Sequence, residues 1–164
     1  MNSGNNRGYN INKSIGEGKK IGIVRALWNS EITNKFYQGC VQTLQKYGVE
    51  KKVIETIQVP GSFELIYAGK KLYQNSIKSD RKFDAIILIG SIIKGETPHF
   101  NFISEAVANG IKDLNLLFDI PFVFCVSTDL NKEQALDRAG GEMGNKGVDA
   151  AYTTLHLLEN ISLK

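Results

Sequence analysis

The sequence predicts an α/β domain in which a four-stranded parallel sheet is covered on both faces by helices. Short apolar runs of strand type alternate with stretches whose apolar residues recur at helical spacing, the pattern of right-handed βαβ crossovers. The run at residues 83–93, FDAIILIGSII, is rich in isoleucine and almost wholly apolar, which suits a strand buried on both faces. With 164 residues and 42% hydrophobic content, the chain fits one domain with a proper core.

Residues 1–19 are rich in Asn, Gly, Ser and Lys and lack apolar periodicity, so they read as a disordered or loosely attached N-terminal arm, leaving 20–164 as the folded domain. The arm has no apolar core of a signal peptide's length, and no run approaches the roughly 18 to 20 apolar residues of a membrane span. A soluble, cytoplasmic chain is expected. The first strand is KIGIVRA at 20–26. A helix follows at 31–47, with Ile32, Phe36, Cys40, Leu44 and Tyr47 on one face and Gly48 closing it. The second strand is KVIETIQV at 52–59, and Pro60-Gly61-Ser62 opens a helix through Ile66, Gly69, Leu72 and Tyr73.

The third strand hands over at Lys94-Gly95-Glu96-Thr97-Pro98, where turn residues and a capping hydroxyl precede a helix carrying Phe102, Ile103, Ala106, Val107 and Ile111. The fourth strand is PFVFCVS at 121–127. Thr128 and Asp129 should cap a short helix at 131–139, with Glu133 near its first turn. After the glycine-rich segment 140–147, a last helix presents Val148, Ala151, Tyr152, Leu155 and Leu158.

Ligands of parallel sheets bind beyond the carboxyl ends of the strands, where residues 27–30, 60–64, 94–99 and 128–129 fall. Backbone N–H groups and the positive end of a helix dipole at 94–99 suit a phosphate. His99 beside them can exchange a proton near neutrality, or be a plain surface histidine in a first turn. Trp28 offers a face for a flat heterocycle, or is a core or interface aromatic. Asn29 and Glu64 can hydrogen-bond a polyol or amide edge, although Glu64 also suits a helix start for dipole reasons alone. Arg138 can clamp a phosphate bidentately, or simply sit well at a helix C-terminus.

Other chemistries lose support. GxGxxG, GxxxxGK[ST] and GxSxG are all absent. The formal charge is +3, with 20 basic residues scattered among 17 acidic ones, which argues against a nucleic-acid surface. Cys40 and Cys125 lie far apart without CxxC spacing, so they read as small buried apolar groups rather than zinc ligands.

Four separated motifs, in order and in register, resemble the lumazine synthase family: Trp28-Asn29, VPGSFE at 59–64, GSIIKGETPHF at 90–100, and EQALDRAG with GNKG between 133 and 147. The resemblance covers nearly everything from Lys20 to Glu159. It implies a flavodoxin-like, three-layer α/β/α domain in a homo-oligomer, a pentamer or a shell of pentamers, with active sites shared between neighbouring subunits. It implies condensation of 5-amino-6-ribitylaminouracil with 3,4-dihydroxy-2-butanone 4-phosphate to 6,7-dimethyl-8-ribityllumazine, with no metal or redox cofactor. By motif position, Trp28, Asn29, Ser62, Glu64, Ile92 and Ile93 line the pyrimidine and ribityl pocket. Gly95, Glu96 and Thr97 cradle the phosphate, and His99 transfers a proton. Phe124, Arg138 and Lys146 come from the adjacent subunit, with Arg138 on the phosphate.

Three positions depart from the commonest pattern of that family. Lys94 stands where arginine is frequent and lacks its planar fork. Trp28 replaces phenylalanine and enlarges the stacking face. Glu142, in GGEMG, replaces a lysine common in shell-forming members. Association with riboflavin synthase stays open. So do two other functions: a flavin- or lumazine-binding protein without catalysis, against which His99 and Arg138 together argue, and a flavodoxin-like electron carrier, for which RALWNSE is a poor phosphate loop.

Overall fold

A computed structural model describes residues 11–79 and 81–161. The sheet runs β2-β1-β3-β4, with every pairing parallel. Its strands are β1 (Ile21–Ala26), β2 (Ile54–Val59), β3 (Ala85–Ile93) and β4 (Phe122–Asp129). The helices are α1 (Ser30–Lys46), α2 (Glu64–Lys78), α3 (His99–Leu117), α4 (Lys132–Asp137) and α5 (Lys146–Ile161). The chain steps one way from β1 to β2 and the other way to reach β3, so right-handed crossovers put α1 and α2 on opposite faces.

Side-chain alternation divides the core accordingly. Ile21 and Ile23 of β1 and Ile87 and Ile89 of β3 pack under α1 and α5, with Phe36, Cys40, Leu44 and Leu155. Val24, Ile86 and Leu88 face the other way, under α2 and α3, with Leu65, Val107 and Ile111. This is the expected three-layer α/β/α arrangement. Eight of the nine residues of β3 are buried, as its apolar run requires of a central strand. Both cysteines lie in the core under α1 and α5, as expected of small apolar groups.

Several element edges differ from the sequence expectation. Residues 51–53 form a 3-10 turn, so β2 begins at Ile54. The second helix starts only at Glu64, whose Oε2 reaches back to accept a 3.0 Å hydrogen bond from the Gly61 N–H. Thr97 does not cap α3: Pro98 occupies the cap position, with φ −62°, and no side chain bonds there. Phe102 is not on the buried face of α3; it lies about 140° round the helix from Val107 and is exposed. Strand β4 runs on through Thr128 and Asp129 because β3 is long enough to pair with both. The cap of α4 is therefore Asn131, whose Oδ1 accepts from the Gln134 N–H at 2.9 Å.

The glycine-rich segment is a small antiparallel hairpin, β5 (Ala139–Gly141) and β6 (Gly144–Asn145), leading straight into α5. Asn145 Oδ1 accepts from the N–H groups of Gly147 and Val148, which caps α5, while its Nδ2 donates to the Lys35 carbonyl of α1. At Gly147 a methyl group would fall on the Phe36 carbonyl, so only glycine lets the two helices meet there. These contacts give the GNKG motif a packing reason.

Of the expected arm, residues 1–10 lie outside the described residues. Residues 11–19 are not loose: they form turns against the domain. Ile11 is buried in the core, Gly16 N–H donates to the Tyr47 carbonyl at 2.8 Å, and Asn12 N–H donates to Glu159 at 3.0 Å. Apolar residues among polar ones hid this attachment, since two isoleucines show no periodicity. Among the described residues, no helix is long and apolar enough to cross a membrane.

Candidate active site

The crossovers diverge between β1 and β3, and a parallel sheet opens a crevice at that point, beyond the carboxyl ends of the strands. A cavity of about 420 Å³ lies there. Trp28 and Asn29 enter it from the end of β1, Ser62 from the loop after β2, Glu64 from the start of α2, and Ile92, Ile93, Gly95, Thr97 and His99 from the end of β3 and the start of α3. Phe63, Phe100 and Ile103 add apolar wall.

Local backbone geometry builds this mouth. Trp28 N–H donates to the Pro60 carbonyl at 2.9 Å and Leu27 N–H to the Val59 carbonyl at 2.8 Å, which ties the ends of β1 and β2 together. Asn29 is the sole non-glycine residue with positive φ among those described (φ 53°), and its Nδ2 donates to the Ser91 carbonyl of β3 at 2.9 Å. Asparagine tolerates this left-handed position, and the turn throws the Trp28 ring outward. The indole is 70% exposed, so it is no core aromatic; an open ring face on the cavity is what a planar ligand could cover.

Two glycines admit close approach. A side chain at Gly61 would press on Glu64 Oε2 and the Trp28 ring, and one at Gly90 would come within 2.5 Å of Ser62 Oγ. Ser62 is thereby held against β3 and buried, whereas Glu64 is exposed at the cavity with one oxygen engaged by the Gly61 N–H. At the far side, α3 is 19 residues long and begins at His99, so its first free N–H groups and the positive end of its dipole border the cavity beside Gly95 and Thr97. The set offers an aromatic face, hydroxyl and carboxylate hydrogen-bonding groups, a positive helix end and an exposed imidazole. It can hold a planar polar molecule next to an anion and move a proton between them.

Nine of the thirteen candidate residues line this cavity. Glu96 lies in the same loop but outside the lining. Phe124, Arg138 and Lys146 are elsewhere: Phe124 is on the edge strand β4 and 46% exposed, Arg138 ends α4, and Lys146 starts α5. The last two adjoin, since Lys146 N–H donates to the Arg138 carbonyl at 2.9 Å, and Lys146 Nζ reaches Asp149 at 3.5 Å. Arg138 Nε is 3.5 Å from Asp129, and its Nη1 donates to the Gln134 carbonyl at 3.3 Å.

Sequence reasoning missed Ser91. It is buried at the cavity, and its Oγ has no hydrogen-bonding partner among the described residues. Its position inside an apolar strand disguised it; a hydroxyl near the carboxyl end of a central strand was the available signal. The two thiols, by contrast, are outside the site, and burial pushes both upward, that of Cys125 to about 12 against the lowering effect of Lys146.

Comparison with known proteins agrees with this architecture. The family model described as 6,7-dimethyl-8-ribityllumazine synthase matches residues 18–162. A protein of Cytophaga hutchinsonii named 6,7-dimethyl-8-ribityllumazine synthase is 48% identical over 138 residues, covering 84% of this chain and 84% of its own. Proteins of the same name from Christiangramia forsetii and Parabacteroides distasonis are 46% and 44% identical, covering 85% and 84% of this chain and 81% and 83% of their own.

Proposed function

Because this chain belongs to the 6,7-dimethyl-8-ribityllumazine synthase family, we propose that the cavity between β1 and β3 is where it condenses 5-amino-6-ribitylaminouracil with 3,4-dihydroxy-2-butanone 4-phosphate. It is an enzyme of riboflavin biosynthesis. The observation that carries the assignment to this cavity is the meeting of an exposed indole, a helix N-terminus and His99 around one opening.

In this reading Trp28 stacks on the pyrimidine, while Asn29, Ser62, Glu64, Ile92 and Ile93 take its ring and ribityl edge. Gly95, Glu96 and Thr97, with the start of α3, hold the phosphate. Phe124, Arg138 and Lys146 reach the site of a neighbouring subunit, which accounts for their lying outside the cavity of their own chain. The 5-amino group attacks the ketone and water leaves as the imine forms. Loss of a proton from C3 expels phosphate from C4 and leaves an enol, which tautomerises to a new ketone at C3; the ribitylamino nitrogen attacks that carbonyl, and a second water departs. His99 moves protons in these steps. Holding two reactive substrates in register supplies most of the acceleration, an effect worth up to about 7 to 11 kcal/mol in well-oriented systems.

A closed ring of subunits fits the exposed Phe102, Leu116, Leu117 and Phe124, large apolar side chains that a partner surface would cover. Pentamers working in the cytoplasm are the proposed form. The test is to mix protein and both substrates and measure the lumazine product and free phosphate together. Equal, protein-dependent release of both is expected. Pyrimidine binding without product above the spontaneous rate would leave a binding protein and sink the enzymatic reading.

A further inference from the structure

Asp129 is a buried carboxylate that stands beside the guanidinium of Arg138. Its side chain is 1% exposed at the carboxyl end of β4, and neither oxygen has a hydrogen-bonding partner among the described residues. Among the described residues, its ion-pair partner is Arg138, whose Nε lies 3.5 Å away. A carboxylate buried this fully costs several kcal/mol unless a cation stays beside it, so the burial of Asp129 restrains where Arg138 can go.

We infer that Asp129 is a positioning residue for Arg138, fixing the direction in which its guanidinium meets the phosphate of the substrate. The inference rests on the proposal that Arg138 binds that phosphate. A guanidinium carries five N–H donors in a planar fork. Asp129 occupies the Nε edge, and the Gln134 carbonyl accepts from Nη1 at 3.3 Å. Both restraints lie toward the chain's own β4 and α4. Arg138 nonetheless keeps 33% of its side-chain surface exposed, enough for an anion to reach the guanidinium donors these two contacts do not take. An arginine free to rotate would have to lose that freedom on each binding event, whereas a pinned one meets the phosphate already aimed.

Asp129→Ala and Asp129→Asn, each with Arg138→Ala and as a double variant, separate the possibilities in steady-state kinetics with each substrate varied in turn. Asp129→Ala should raise KM for the phosphorylated ketone by about tenfold and leave KM for the pyrimidine unchanged. The amide of Asp129→Asn keeps the shape and an acceptor but loses the charge, so its rise should be smaller, about threefold, and equally selective. In the Arg138→Ala background neither change should add a further loss. If Asp129→Ala folds poorly, the Asn variant alone decides by its selectivity. An unchanged KM for the ketone, an equal rise for both substrates, or a full additional loss without Arg138 would overturn the inference. If Arg138→Ala itself fails to weaken the phosphorylated ketone selectively, the role proposed for Arg138 falls and the inference falls with it.

Discussion

At the scale of single residues, the cavity separates proton transfer from positioning. His99 is exposed at the first turn of α3, where its removal takes away no buried contact. His99→Ala should therefore fold normally and slow turnover by about 10² to 10⁴-fold without abolishing it, since proton transfer is the smaller contribution. Single-turnover product formation with ligand binding measured alongside checks this, and undetectable turnover with intact binding would assign His99 a larger share. The buried thiols make a prediction about pH. Burial raises both, Cys125 to about 12, so the folded chain keeps them protonated where an unfolded chain releases the protons from about pH 8.5. Their contribution to stability is fully present below that value and is lost as pH rises toward 12. Unfolding free energies measured between pH 8 and 10 should fall with a slope that flattens when Cys40 and Cys125 are both replaced by alanine.

At the scale of elements, helix packing depends on the few places where backbones touch. Helices α1 and α5 meet at Gly147 against the Phe36 carbonyl, and Asn145 joins them through the cap of α5 and the Lys35 carbonyl. Gly147→Ala puts a methyl group onto that carbonyl, and the helices must separate. The expected cost is about 1 to 3 kcal/mol, read as a lower midpoint in denaturant unfolding. An unchanged midpoint would mean that α5 can shift freely. Such a shift would be felt at Lys146 and Arg138, which sit at the start of the same helix and just before its hairpin. This loop joins packing to the residues proposed to serve a neighbouring site.

At the scale of the whole molecule, the cavity holds one set of candidate residues and another face holds the rest. If neighbouring subunits complete each other, two crippled variants should repair one another. Mixed oligomers of His99→Ala and Arg138→Ala, formed by unfolding and refolding together, should regain activity at about a quarter of their sites, where both residues are native. Activity no higher than the average of the two separate variants would place each site within one chain. Sedimentation should give a mass about five times that of the 18.2 kDa chain, or a larger multiple of that unit.

Much of this was legible from the chain alone. The isoleucine-rich run of β3, the one-sided stripe of α1 and the alternation of elements determined the parallel sheet and its helical layers, because burial periodicity is written in side-chain polarity. Four short motifs determined the family and the candidates for its site. Tertiary structure decided what periodicity cannot carry. It extended β4 to Asp129 by pairing with β3, moved the cap of α4 to Asn131, and packed Ile11 onto the core. It also decided which candidates share a cavity and which stand apart, and it set Asp129 against Arg138. Those outcomes depend on contacts between residues distant in sequence, and only the closing of the sheet and its layers brings such residues within reach of one another.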